Sequence, residues 1–247
     1  MNSLIILKRK LDTIKKRGWI ACTVKNYGSV GLKLEQLLGI NTLNLEIPDF
    51  EGIELKTKKS KFKQTISLFS ATPDNQLFEI KRLHKLYAYS DKKNPEYNVL
   101  NKILKQGELT YIYNEIFFTL KVDYNKKVIF LVILNRNLEI IDCTTYWSFD
   151  LLRDKLERKL RYMCYIQADT VYSNSQLYVK YKDENYYKLK SFDTFLNLIE
   201  KGKISITFRI GVYKYGKKIG QIHDHGTTFS IDEMNIEDLF EKITIND

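Results

Sequence analysis

The nine residues Pro48-Asp49-Phe50-Glu51-Gly52-Ile53-Glu54-Leu55-Lys56 place acidic groups and an ammonium within one short stretch. On a β-strand, residues two apart share a face. Glu54 and Lys56 then project to one side, and Ile53 and Leu55 to the other, toward a core. A turn relaxed by Gly52 brings Asp49, from the end of a preceding strand, to the same place. Carboxylates are the hard oxygen ligands that Mg2+ prefers, and the Leu55 carbonyl can add one more. A lysine beside them can position a water or stabilise growing charge. Such a set suits phosphodiester hydrolysis, in which one or two divalent ions neutralise the phosphate and acidify a water. The competing reading is a solvated strand edge with alternating charges.

Spacing alone does not single out this segment. Glu-x-Lys occurs three times, at Glu54, Glu79 and Glu157, and Pro73-Asp74 precedes Glu79 at the same distance as Pro48-Asp49 precedes Glu54. Periodicity separates them. Around the second match Leu77, Ile80, Leu83 and Tyr87 recur every three or four residues, and Pro73-Asp74 is a helix-start signal. On a helix, residues two apart diverge by about 200° and cannot line one site. Lys159 follows Glu157 in a third helical pattern and fails likewise. Only the first match has the strand period.

A further acidic group, Glu35, sits in the helical stretch Gly28-Ser29-Val30-Gly31-Leu32-Lys33-Leu34-Glu35 just before the metal segment. It reads either as a fourth carboxylate facing the metals or as an ordinary exposed helix glutamate. A different constellation lies near the C-terminus. Arg209, Lys214, Lys217, Lys218, His223 and His225 surround Gly211, Gly216 and Gly220, with Tyr213 and Tyr215 interleaved and Asp224 between the histidines. Arginine can bind guanine through O6 and N7. Lysines neutralise phosphates, and glycine-rich turns let backbone approach a duplex. The bland alternative is a solvated basic hairpin. A His-x-His zinc site lacks a nearby third ligand.

These groups need elements to hold them. The chain has 247 residues, 44% hydrophobic and 13% aromatic, which is enough for a sizeable core. The formal net charge of +10 suits a polyanion. Cys22, Cys143 and Cys164 are too few and too scattered for a disulfide framework or zinc knuckle. No apolar run is long enough for a signal peptide or membrane span, which predicts a soluble, intracellular protein. Apolar periodicity predicts helices over Ser3–Arg17, Val30–Leu38 (stopped by Gly39), Pro73–Tyr89, Phe149–Tyr162 and Ser191–Lys201. Strands are predicted at Leu43–Ile47, Gly52–Thr57, Thr65–Phe69, Ile140–Cys143, Cys164–Ala168, Ile204–Val212 and Thr227–Ile231. Tyr111–Asp123 and Val128–Leu134 read as a hairpin closed by Asn125-Lys126-Lys127. Tyr178–Leu189 reads as a surface hairpin. Trp19 and Trp147 read as core, and His84 as a surface histidine. The pattern is mixed α and β, with helices around a central sheet.

Gly-Ser-Val-Gly-x-x-Leu-Glu at 28–35, followed by Pro-Asp-x4-Glu-x-Lys-Thr at 48–57, is similar to the MutH-like branch of the PD-(D/E)xK nucleases. Tyr146-Trp147-Ser148-Phe149-Asp150, Phe208-Arg209-Ile210-Gly211, Gly216-Lys217-Lys218 and His223-Asp224-His225-Gly226-Thr227 resemble the MvaI/BcnI group of restriction endonucleases more closely still. The resemblance runs from about Gly18 to Ile231, with its most specific part near the C-terminus. It implies a nuclease core with a central mixed sheet flanked by helices, plus a β-rich DNA-recognition lobe. Residues 1–165 would be mainly the catalytic lobe and 166–247 mainly the recognition lobe. It implies a monomeric type II enzyme of the bacterial cytoplasm, alongside a companion methyltransferase that does not form a complex with it. Cleavage of double-stranded DNA would need Mg2+, with Mn2+ substituting, and would leave 5′-phosphates at a short CC-centre-GG type target. By this resemblance Asp49 and Glu54 are metal ligands, Lys56 the catalytic lysine and Glu35 the accessory acid. Arg209, Tyr213, Lys217, Lys218, His223, Asp224 and His225 would contact DNA. The basic residue that the group carries after its final Thr-x-Phe is Ser230 here, which leaves the central base pair open. A strand-nicking repair endonuclease, a non-catalytic DNA-binding module and a ribonuclease are the rival readings.

Overall fold

The computed structural model describes residues 2–22, 28–40, 47–59, 65–74 and 76–245. Helix α1 (Asn2–Lys15) is followed by strand β1 (Ile20–Cys22), helix α2 (Ser29–Leu38) and strands β2 (Ile53–Lys59) and β3 (Thr65–Ser70). Helix α3 (Gln76–Tyr87) leads into β4 (Tyr89–Ser90), β5 (Asn98–Leu104), β6 (Thr110–Tyr111), β7 (Phe117–Asp123), β8 (Val128–Leu134), β9 (Ile140–Asp142) and β10 (Tyr146–Ser148). Helix α4 (Phe149–Leu160) precedes the two longest strands, β11 (Tyr162–Ser173) and β12 (Gln176–Leu189). Helix α5 (Phe192–Glu200), strands β13 (Ile204–Val212), β14 (Ile222–Asp224) and β15 (Thr228–Asp232), helix α6 (Ile236–Leu239) and strand β16 (Phe240–Ile243) complete the chain.

The chain divides into two compact units. The first comprises residues 1–66, 156–190 and 236–247, and the second 67–155 and 191–235. In the first unit β1, β12, β11 and β2 form one sheet in that order, and β16 joins β12. β2 runs parallel to β11, with Tyr162 opposite Ile53 and Met163 opposite Glu54. The α1 residues Leu4, Leu7, Leu11 and Ile14, at i, i+3, i+4 spacing, are buried with Val30, Leu34 and Leu38 of α2 against the sheet. Gly39 stops α2 in the left-handed conformation at φ 76°, and its N–H returns to the Gln36 carbonyl.

The second unit holds two further sheets. One has the order β10-β8-β7-β6, with β9 on β8. The other has the order β3-β15-β13-β5-β4, with β14 on β13. Its core is aromatic: Phe69 stacks on Phe229 at 5.0 Å, and Trp147 meets Phe208 and Phe229 at 5.9 Å. The Trp147 indole donates to the Ala71 carbonyl, so this large side chain is buried without an orphaned N–H.

Several expectations change. Tyr178–Leu189 is not a surface hairpin. It belongs to one long strand, β12, which lies between β11 on one edge and β1 and β16 on the other. The hairpin turn falls earlier, at Asn174 and Ser175, both at positive φ. The run Tyr111–Asp123 is broken by a turn at Asn114 and Glu115, whose φ values are 45° and 59°. Trp19 is 48% exposed rather than core, because only Cys22 of the short strand beside it is buried. The strand expected over residues 43–47 falls, apart from Ile47, outside the described residues. Parallel pairing with β2 draws β11, and with it β12, into the first unit.

The turn before β2 sets the path of the segment that carries Asp49, Glu54 and Lys56. Phe50 and Ile53 exchange two backbone hydrogen bonds, of 2.8 and 3.0 Å, across Glu51 and Gly52. Both central residues have positive φ, 43° and 87°, the signature of a type I′ turn. A Cβ on Gly52 would meet no atom within 4 Å, so only backbone strain opposes one. Gly52→Ala should therefore cost about 1–2 kcal/mol, read as a lower urea midpoint at unchanged m-value.

Candidate functional site

In the first unit, β2 carries Glu54 and Lys56 as its second and fourth residues. Glu54 is only 2% exposed, although the strand period assigned it to the open face opposite Ile53 and Leu55. Lys56 Nζ donates to Glu54 Oε1 at 2.7 Å, and Lys159 Nζ of α4 lies 3.4 Å from the same oxygen. Glu54 Oε2 is buried and accepts no hydrogen bond from a described residue. Burial pushes the Glu54 carboxyl above its ordinary range and the nearby Asp49 charge adds to that rise, while Lys56 and Lys159 pull it back. Asp49 comes across the turn, where its Oδ2 accepts the Leu55 N–H at 2.9 Å. That bond ties the first carboxylate to the strand bearing the second.

The structure thus brings Asp49, Glu54 and Lys56 together. Glu35 stands half-buried on α2, where its charge acts on the Tyr181 hydroxyl. That hydroxyl donates to the Val30 carbonyl and fastens β12 to the first turn of α2. In the rival match Glu79 and Lys81 lie on α3, as their period required, and Pro73 and Asp74 precede that helix. Glu79 is buried against Arg82 and Thr145 while Lys81 is exposed. Among the described residues no cluster of three or more His, Cys, Asp or Glu side chains has metal-holding geometry. A hard cation would be held by two carboxylates, Asp49 and Glu54, with the Leu55 carbonyl and water completing its shell. Glu54 Oε2 fits that role, since a buried acceptor without a donor is a costly state that a cation relieves. Sequence reasoning missed Lys159. It was set aside because it could not act with Glu157, and its approach to Glu54 depends on a tertiary pairing.

The second unit gathers the C-terminal group. β13 ends in a hairpin to β14, with Gly211 opposite His223 and Ile210 opposite Asp224. The Tyr213 and His223 rings stack at 4.3 Å, His225 meets His223 edge-on at 4.3 Å, and Lys218 Nζ lies 5.7 Å above the Tyr213 ring. Arg209 folds back on the following loop. Its Nη2 donates to the His225 carbonyl at 2.9 Å and Thr228 Oγ1 at 3.0 Å, and its Nε to the Gly226 carbonyl at 3.2 Å. Asp224 Oδ1 accepts the Gly226 N–H at 2.9 Å, while its Oδ2 is buried and accepts no hydrogen bond from a described residue. Burial raises the Asp224 carboxyl against the backbone amides and Arg209 that favour its charge. Burial, then the neighbouring His223 and Arg209, holds the His225 imidazole below its ordinary range, and Asp224 opposes that shift. Lys217 is exposed at the hairpin tip. Lys214 pairs with Asp91 at 2.6 Å, and both line a cavity of about 300 Å3 with Asn101, Arg209 and His225. Lys214, Asp91 and Asn101 were not foreseen in this role. Asp91 and Asn101 lie in the stretch 81–107, where the sequence offers no motif.

A mixed α and β chain with several sheets, carrying Glu54 and Lys56 on an edge strand and Asp49 across the adjoining turn, has the fold of a restriction endonuclease. The model of the MvaI/BcnI restriction endonuclease family matches residues 8–240. The chain belongs to that family. It is similar to the structure titled "Restriction endonuclease MvaI-cognate DNA substrate complex", with TM-score 0.88, 31% identity and coverage of 98% of each chain. It is also similar to "Restriction endonuclease MvaI in the absence of DNA", with TM-score 0.65, 30% identity and coverage of 100% of this chain and 98% of that one. No curated protein matches. No described helix is long and apolar enough to cross a membrane.

Arg209 has a structural task whatever it touches beyond the protein. Arg209→Ala removes the donors that hold the 225–228 loop and should cost about 1 kcal/mol of stability. Amide exchange at Gly226 and Thr227 should accelerate relative to the β5–β13 ladder, as read by hydrogen–deuterium exchange.

Proposed function

We propose that this chain is a type II restriction endonuclease. It would cut double-stranded DNA at a short CC-centre-GG type target, act as a monomer, leave 5′-phosphates and require Mg2+, with Mn2+ as a substitute. The observation that carries the reading is the Glu54 carboxylate, buried beside Asp49 and Lys56 with one oxygen left without a donor. A bound divalent ion would supply charge neutralisation at the phosphate and a more acidic water. Asp49 and Glu54 would hold it, with the Leu55 carbonyl as a third oxygen. Lys56 would orient the attacking water or grip the scissile phosphate. The C-terminal hairpin supports the DNA assignment. Asp224 Oδ2 can accept from a cytosine amino group, and Arg209 and the histidines can donate to guanine. The similarity to a structure of MvaI with its cognate DNA points the same way. The exposed lysines supply contacts to the phosphate backbone that carry no sequence information.

Digesting a plasmid of known sequence with Mg2+ and sequencing the ends tests target, polarity and strandedness together. Lys56→Ala and Glu54→Ala should bind the mapped site with an affinity close to wild type and lose cleavage. Undiminished cutting by either variant would remove this site from the mechanism. Nicking of one strand alone would favour a repair-type enzyme, and binding without cleavage under any divalent ion a non-catalytic module. Replacing Lys217 and Lys218 together by alanine should weaken specific and non-specific binding alike. The slope of log affinity against log salt should become shallower by about 1–2.

A further inference from the structure

Glu54 receives more positive charge than its own strand supplies. Lys56 Nζ, at 2.7 Å, and Lys159 Nζ, at 3.4 Å, converge on one atom, Oε1, while Oε2 is left without a donor. Topology brings the second lysine there. Helix α4 ends at Leu160 and β11 begins at Tyr162, whose parallel pairing with Ile53 sets the last turn of the helix over the start of β2. Leu152, Leu156 and Leu160, all fully buried at four-residue spacing, fix the rotation of α4. That rotation directs Lys159, 14% exposed at its side chain, onto Glu54.

A lysine that acts on a phosphate or a water must leave the carboxylate on which it rests. Were Lys56 the sole donor on Glu54 Oε1, its withdrawal would leave that buried oxygen without a partner even with a cation on Oε2, and removing one partner from a buried ion pair is strongly unfavourable. A second ammonium on the same oxygen removes that obstacle. We infer that Lys159 is a positioning residue for cleavage: it holds Glu54 Oε1 when Lys56 moves to the scissile phosphate, leaving Oε2 for the cation. This inference rests on the nuclease reading above.

The test compares wild type, Lys159→Met and Lys159→Arg on a duplex bearing the mapped site. Three quantities are read: kcat and KM, the melting temperature, and Mn2+ binding followed by the free-ion signal in electron paramagnetic resonance. Lys159→Met should lower kcat by about 10–100-fold at unchanged KM, the range found when a partner of a ligand is removed. It should bind Mn2+ at least as tightly as wild type, since a competing cation is gone. Lys159→Arg should keep kcat within about threefold, because its charge and reach are retained. Lys159→Gln carries the expectations of the methionine variant should that variant fail to fold. Wild-type kcat in Lys159→Met, parallel loss of Mn2+ binding and rate, or Lys159→Arg as slow as Lys159→Met would each overturn the inference while leaving the nuclease reading intact. A wild-type protein that cuts no duplex would overturn both.

Discussion

A single buried carboxylate constrains the first unit of this molecule. Glu54 is nearly inaccessible, its Oε1 shared by two ammonium groups and its Oε2 without a donor. An ionised group in that setting is tolerated only where surrounding charges offset its lost hydration. The elements of the first unit meet that demand one by one. The type I′ turn returns Asp49 to the strand, the strand period supplies Lys56, and parallel pairing with β11 delivers Lys159 from the preceding helix. Each of these is a backbone decision, so the chemistry is set by turn geometry and strand register as much as by the identity of the side chains.

The Asp49–Glu54–Lys56 set was legible because its discriminating feature is local. A strand period around residues 53–56 contrasts with a helical period around 77–87, and the structure has β2 and α3 at those places. Family membership was legible in short motifs spread along the chain, and the family model spans residues 8–240. Lys159 was invisible because its partner lies 105 positions away and is reached only through strand pairing. The burial of Glu54 was missed for the same reason: alternation predicts two faces but not what covers each of them.

Longer-range features failed in a consistent way. The Tyr- and Lys-rich run of β12 looks like a surface element by composition, yet its tyrosines are amphipathic. Tyr181, Tyr186 and Tyr187 are buried, and the Tyr181 and Tyr186 hydroxyls reach Val30 and Glu184. Polar side chains that carry their own apolar surface defeat simple alternation counting. Trp19 errs in the opposite direction, a large apolar residue left half-exposed beside a three-residue strand. Neither case could be decided without knowing that β12 accepts β1 and β16 on one edge.

Unpartnered oxygens are informative because native proteins avoid them. Buried polar atoms without partners are few, and their cost persists only where something compensates for it. Among the described residues two carboxylate oxygens are in that condition, Glu54 Oε2 in the first unit and Asp224 Oδ2 in the second. Each sits in a segment that sequence motifs had already marked, one for metal chemistry and one for DNA contact. The Asp224 case is the sharper of the two, because the opposite oxygen is already committed to the Gly226 amide and Arg209 is turned into its own loop. A loop organised that tightly, with an acceptor still open, would be pre-organised for a donor supplied from outside, as the proposed reading requires. Ordering costs are then met in folding rather than in binding, which is the condition under which a few hydrogen bonds can discriminate between bases.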